Sequence, residues 1–296
     1  MFKNAIIYRA THLNTAQEGL DSLAFVPCGA SQEKSMGWVP PRGEAHGPLV
    51  EVVAGQRILK LMTETKAVPA DVVQRKANER AAQIQATEGR KPGKKEMREI
   101  KEDVKMALLP NAFSKRTTNL VWFTPDGFLV IDASSHAKAD DVATMLIQSF
   151  EGLSLTMVQT QMSPQSAMAH WLLDQEPPAD FSIDRECELK ACDESKAVVK
   201  YGRHPLDIDE VREHVQHGKL PTKLAMTFDS RVSFVLTESM ALKRLQILDI
   251  VFAEQTGEDK ADAFDADVAI MAGELNPLIR DLVEAFGGEV EIPESA

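Results

Sequence analysis

The sequence predicts an α+β protein. Short runs rich in β-formers recur along the chain, at FKNAIIYR near the start, at QRILKLMTE and at KLAMTFDSRVSFVLTE. Two consecutive stretches between Pro69 and Leu109 instead repeat their apolar residues at helical spacing. Strands and helices also follow one another without the regular βαβ alternation of a doubly wound sheet.

Each element has its own signal. FKNAIIYR alternates and reads as a strand. Asn14 to Leu23 suits a short helix, with Asn14 or Thr15 as its cap. FVPCGASQEKSMGWVPPRGEAHG is dense in Gly and Pro, so it reads as a long loop with one short strand around Trp38. QRILKLMTE, residues 56–64, is a strand candidate. Pro69 opens a helix reaching Thr87, and a second runs from about Pro92 to Leu109, where Pro110 ends it. NLVWFTPDGFLVIDA reads as a β-hairpin, two apolar runs joined by Pro125-Asp126-Gly127. A helix from about Lys138 to Phe150 follows, then a mixed stretch broken by Pro177-Pro178. AVVKYGRH and KLAMTFDSRVSFVLTE supply further strands, with a helix near Asp207 to His217 between them. The chain closes with the apolar run DVAIMAGEL and a helix from Leu275 to Phe286, terminated by Gly287-Gly288.

At 296 residues there is material for one large or two to three small domains. No apolar run approaches the roughly 20 residues needed to cross a bilayer. The apolar stretch at the N-terminus is too short for a signal peptide and is interrupted by Arg9, so the expectation is a cytoplasmic protein. Cys28, Cys187 and Cys192 are odd in number and widely spaced, which offers no disulfide framework. No second Cys or His pair follows them at zinc-site spacing.

The formal net charge of -12 conceals a segregation. Residues 71–116 hold twelve basic and seven acidic side chains, a local net of +5; residues 246–296 hold thirteen acidic and two basic, a local net of -11. A basic surface can therefore exist on an acidic protein. On a helical wheel of about 100° per residue, Lys94, Arg98, Lys101 and Lys105 fall within roughly 60° of one another. Met97, Ile100, Val104, Ala107 and Leu108 form a second sector, and Glu96, Glu99, Glu102 and Asp103 a third. The apolar sector is a core-facing stripe. The charged sectors either pair with each other, as surface helices commonly do, or the basic line matches the regular charge of a phosphate backbone. Arg90, Lys91, Lys95, Lys115 and Arg116 extend the basic region at both ends. The preceding helix adds Arg75, Lys76 and Arg80 beside an apolar stripe of Val73, Ala77, Ala81 and Ile84. The two helices thus predict a basic helical hairpin projecting from the sheet.

Several chemistries are not supported. GRKPGKK is not a phosphate-binding loop, because only three residues separate Gly89 from Gly93 and Lys95, not Ser or Thr, follows Lys94. His214 and His217 stand at i and i+3 on a predicted helix without an evident third metal ligand. Asp265, Asp267 and Glu274 are the carboxylates that a metal-dependent nuclease would use, but they lie in a terminus acidic throughout, where solvated charge is the simpler account. No cofactor motif is present. With two tyrosines and three tryptophans, platforms for stacking single-stranded bases are not suggested.

MFKNAIIYR, FVPCG, MGWVPP, LLPNAFS, GKLPTKLAM, LKRL and FDADVAIMAGEL occur in that order over nearly the whole chain, and together they resemble the bacterial recombination-associated RdgC family. The resemblance implies a homodimer closed into a ring, with a positively charged hole that passes duplex DNA. Each subunit would comprise a centre domain with a mixed antiparallel sheet (1–65, 119–175 and 237–296), a helical tip (66–118) and a small α+β base (176–236). Such a protein would bind DNA, double-stranded and also single-stranded, with little sequence preference. It would restrain RecA-promoted recombination as a functional antagonist in the nucleoid, without catalysis, cofactor or membrane.

The resemblance places the 89–116 cluster in the tip and points to Arg203, Lys219 and Lys223 in the base as further DNA-facing residues. It also places Phe113 at a tip–tip contact, where the alternative is ordinary core packing. Gly202-Arg203-His204 and Asn111 depart from the family's more basic pattern at those points. The rival functions are the nuclease above and a module that binds RecA directly.

Overall fold

A computed structural model describes residues 1–12, 18–252 and 260–290. Among these residues twelve strands form one sheet: β1 (Asn4–Thr11), β2 (Lys34–Val39), β3 (Val50–Val53), β4 (Gln56–Lys66), β5 (Ser114–Phe123), β6 (Phe128–Ile131), β7 (Ser154–Met157), β8 (Phe181–Ala191), β9 (Val198–Gly202), β10 (Lys219–Phe228), β11 (Val232–Thr237) and β12 (Leu242–Ile247). The helices are α1 (Glu18–Ser22), α2 (Ala70–Glu88), α3 (Lys94–Leu108), α4 (His136–Ser149), α5 (Pro164–Asp174), α6 (Asp209–Gln216), α7 (Asp249–Phe252) and α8 (Lys260–Ala285). The spatial order is β2-β4-β5-β6-β1-β12-β11-β10-β8-β9, with β3 on β4 and β7 on β1. These ladders are antiparallel, so the α+β expectation holds.

Successive side chains of a strand point to opposite faces, and here the first half of the sheet is buried on both. Ile6, Tyr8, Leu59, Leu61, Val121, Phe123, Leu129 and Ile131 pack under α4, against Val142 and Leu146. Their alternates Ala5, Ile7, Ile58, Trp122, Phe128 and Val130 pack on the other side with α5 and α8, against Leu172, Leu275, Leu278 and Leu282. This second core continues beneath β8, β10 and β11 to Val211 and Val215 of α6.

The MGWVPP stretch has a steric explanation. A Cβ on Gly37 would stand 2.4 Å from the Cα of Phe25. The loop before β2 therefore runs against the strand only because residue 37 has no side chain. Beside it, Trp38 is buried and donates from Nε1 to Ser149 Oγ at 2.7 Å, tying β2 to α4.

Helices α2 and α3 form a hairpin with a core of its own: Ala77, Ile100 and Val104 are buried, with Val73, Ile84, Met97 and Leu108 packed around them. Gly89, at φ +70, ends α2 and starts the turn. Ala107, assigned to the apolar sector, is exposed.

Other expectations shift. DVAIMAGEL is not a run preceding a helix; its buried residues Val268, Met271, Ala272 and Leu275 recur at helical spacing, and α8 continues through Pro277. Pro92 lies before α3, which starts at Lys94 with Gly93 as its cap. Strands β3, β7, β8 and β12 and helix α5 were not anticipated. Asn14 and Thr15 lie outside the described residues.

Candidate nucleic-acid interface

The hairpin presents the predicted basic residues to solvent, and the geometry divides them. Among the described residues Lys91, Lys94, Lys95, Lys101 and Lys115 have no ion-pair partner, nor do Arg75, Lys76 and Arg80 on α2. The others are engaged. Arg98 meets Glu102 one turn on at 3.3 Å, and Lys105 reaches Glu33 at 2.6 Å, linking α3 to the loop before β2. Arg90 is held by Glu96 at 2.6 Å and Glu88 at 2.8 Å; chiefly through the Glu96 hydrogen bond, its guanidinium pKa is raised. The basic line on α3 is therefore not uniform. The reading of three separate sectors is corrected at Glu102, which turns toward Arg98 because an i,i+4 pair lies within reach on a helix surface.

After the hairpin the chain enters β5. Arg116 lies 3.6 Å from Glu64 and over the ring of Phe25. Glu64 is buried, and its carboxyl is held below its usual value first by a hydrogen bond from Ser114, then by the Cys28 amide. Lys115 faces a cavity of about 460 Å³ together with Lys3, Lys34 and Lys138. Phe113, just before β5, is 94% exposed, so it is not part of this chain's core.

The second predicted region lies on β8, β9 and β10. In register across these strands stand Lys200, Glu188 and Lys223. Glu188 Oε2 accepts from Lys223 Nζ at 2.9 Å and is 3.0 Å from Lys200 Nζ, while Oε1 accepts from Thr222 Oγ1 at 2.8 Å. These donors, Lys223 foremost, bring the carboxyl pKa down to about 2. Lys223 also lines a cavity of about 240 Å³ with Lys190 and Lys243. Lys219 Nζ donates to His214 Nδ1 at 2.8 Å. Arg203 follows β9 at φ +56 and is exposed.

Lys3, Lys34, Lys138, Lys190, Lys200 and Lys243 are thus neighbours of predicted residues that the sequence did not group. Each stands in its own segment, and strand register together with the placement of α4 assembles them.

Of the residues named for the rival chemistries, Asp265, Glu274, His214 and His217 are engaged otherwise. Arg42 meets Asp265 at 2.6 Å and Glu51 at 3.0 Å, and Arg231 grips both oxygens of Glu274, closest at 2.7 Å. These arginines fasten α8 to the sheet. His217 Nδ1 lies 2.6 Å from the carbonyl of Glu213, and His214 is engaged by Lys219. Among the described residues, no group of three His, Cys, Asp or Glu is placed to hold a metal ion. No described helix is long and apolar enough to cross a membrane.

Fold and site together define an α+β protein built on one large antiparallel sheet, with a basic helical hairpin and a lysine-bearing sheet face. Residues 1–289 match the family described as "Putative exonuclease, RdgC". The chain is 44% identical over 300 residues to the recombination-associated protein RdgC of Dechloromonas aromatica (strain RCB), covering 98% of both chains. It is 44% identical over 296 residues to that of Cupriavidus pinatubonensis (97% of this chain, 98% of the relative). To that of Bordetella pertussis it is 41% identical over 302 residues (98% and 99%). The chain belongs to the RdgC family.

Proposed function

We propose that the protein binds DNA without sequence preference and without cleaving it. In this reading it closes as a homodimeric ring around the duplex and restrains RecA-promoted recombination by occupying the DNA in the nucleoid. The observation that carries the reading is the exposed edge of the hairpin, where Lys91, Lys94, Lys95 and Lys101 have no carboxylate partner among the described residues. Like charges gathered without partners repel one another, and a phosphate backbone relieves that repulsion. Residues 89–105 carry no aromatic side chain between these lysines, which agrees with contacts to backbone rather than bases. In the same reading residues 66–118 form the tip, 176–236 the base and the remainder the centre.

The family description favours a second reading, an exonuclease. The engagement of Asp265 and Glu274 by arginines weighs against those carboxylates as its metal ligands. Labelled duplex incubated with protein and magnesium separates the two: binding alone leaves a shifted, full-length duplex, whereas shortening of the strands overturns the non-cleaving reading. Relief of RecA inhibition by excess DNA distinguishes occupation of DNA from direct binding of RecA.

Phe113 is the proposed tip–tip contact. An exposed phenyl ring on a basic hairpin has its apolar surface in water, which a second copy would remove. Light scattering at micromolar concentration is expected to give a dimer. Phe113→Asp should weaken one of two contacts by burying an unpaired charge, opening the ring even where the other contact holds. A monomeric wild type would end the ring reading.

A further inference from the structure

One face of the sheet changes character part-way along three adjacent strands, in register. On β2, β4 and β5 this face carries Trp38, Leu61 and Val121 where α4 covers it. Further along the same strands the same face carries Lys34 and Met36, Thr63 and Thr65, and Lys115, Thr117 and Asn119. The pairs Lys34↔Thr65, Met36↔Thr63, Thr65↔Lys115 and Thr63↔Thr117 keep these positions together. None of the three strands places an acid on that stretch, although the chain has a net charge of -12; Glu64 lies on the opposite face, buried beside Arg116.

The cavity above this stretch is completed by Lys3 before β1 and by Lys138 on α4. Its two acids are already engaged: Asp141 pairs with Lys34 at 2.7 Å, and Asp132 accepts from the Asn4 amide at 2.9 Å. Lys3, Lys115 and Lys138 have no ion-pair partner among the described residues; Lys138 donates only to Ser134 Oγ, at 3.2 Å. Ser134 lines this cavity, and the next two residues, Ser135 and His136, line the second one, beside Lys190, Lys223 and Lys243. Consecutive residues at the start of α4 thus line the two cavities in turn, as do the paired Asn4 and Lys243 of β1 and β12. In the second, Glu188 is occupied by Lys223 and Lys200, and Glu238 accepts from Gln165 at 3.0 Å.

We propose that these two cavities form one track for a phosphodiester backbone, joining the basic hairpin, through Lys115, to the region of Lys219 and Lys223. Free ammonium groups over a floor of threonine hydroxyls can meet phosphate oxygens by charge and by hydrogen bond. Apart from Met36 and Val142, the first cavity holds no large apolar side chain that would favour a base or a lipid chain. The proposal rests on the DNA-binding reading and extends it to lysines of the sheet body.

The test is the salt dependence of duplex binding by the full chain. Lys3→Gln with Lys138→Gln, and separately Lys190→Gln with Lys243→Gln, should each flatten the slope of log affinity against log salt by about two units, at roughly 0.9 per lost contact. Arg280→Gln is the control, since this exposed arginine on α8 lies across the sheet from the track; it should leave the slope unchanged. Lys3 and Lys138 are exposed, so the fold is expected to persist, checked by an unchanged thermal midpoint. Wild-type slopes in both double variants, or an equal loss in Arg280→Gln, would overturn the track while leaving DNA binding by the hairpin intact. A wild-type protein that shifts no DNA at all would instead remove the reading on which the track stands.

Discussion

In the helical hairpin the buried residues are Ala77, Ile100 and Val104; in the sheet body Trp38, Trp122, Leu129, Ile131 and Leu146 lie between a sheet and its helical layers. The hairpin closes on itself through neighbours in sequence. The body depends on strands brought together from both ends of the chain, as in the pairing of β1 with β12. A small local core leaves most of a helix surface free, so α3 can carry charge on two of its sectors without disturbing its packing. A sheet buried on both faces has less freedom, and on the face that α4 covers the lysines of β2 and β5 stand beyond the edge of that helix. Basic surface has been built twice, once by helical periodicity and once by where a covering helix stops.

The comparison predicts unequal costs. Trp122→Ala should lose roughly 4 kcal/mol, because it leaves a large cavity and deprives the buried Gln56 of the indole donor 2.8 Å away. Its urea midpoint should fall for the whole body. Ile100→Ala should cost about 2 kcal/mol, at the low end for such a truncation, since its core is small and near solvent. That loss is expected as faster amide exchange across residues 70–108, with the body's midpoint nearly unchanged. Equal shifts of a single transition in both variants would mean that hairpin and body are one cooperative unit.

The charged sectors of α3 sharpen the contrast. Lys94→Gln with Lys101→Gln should flatten the salt slope of duplex binding by about two units. Glu99→Gln with Asp103→Asn should leave it nearly unchanged. Glu102 is unsuited to that control because it holds Arg98. Each double variant should alter folding stability by only about 0.5 kcal/mol per site, as exposed positions do. Identical slopes would return α3 to a helix whose charges merely keep it solvated.

The smallest effect is expected at Glu188. Its carboxyl pKa is about 2 in the folded chain, against an ordinary 4.5. A depressed carboxyl contributes stability that is fully present above pH 4.5 and is lost as pH falls toward 2. Glu188→Gln should therefore lower the thermal midpoint slightly at neutral pH, with the difference from wild type closing across that window. A difference that stays constant from neutral pH down to pH 2 would mean that Lys223 and Lys200 do not stabilise the charged carboxylate.

Local chemistry was enough for the elements whose signals are local. The hairpin at Pro125-Asp126-Gly127 forms between β5 and β6, with Gly127 at φ +80 as such a turn demands. α2, α3, α4 and α6 fall where periodicity and breakers put them. β7, β12 and α5 were missed because their sequences carry weak alternation or sit among turn residues, and neighbours decide their state. The sequence reading starts the last helix only at Leu275, whereas α8 already includes DVAIMAGEL, and the apolar stripe under it outweighs the one hydrogen bond that Pro277 removes.

The candidate site divides along the same line. Sequence alone sets the basic edge of α3, because residues three and four apart must share a helix face whatever surrounds them. It also determined that the acidic surplus belongs to the C-terminal segment. The packing of the chain settles which of those cations are free and which are engaged by Glu33, Glu64, Glu96 and Glu102. It alone brought Lys3, Lys34, Lys115 and Lys138 around one cavity, and set Glu188 between two lysines. The physical reason is range. Helical neighbours are set by distance along the chain, whereas sheet neighbours are set by register between strands far apart in sequence, which no local spacing encodes.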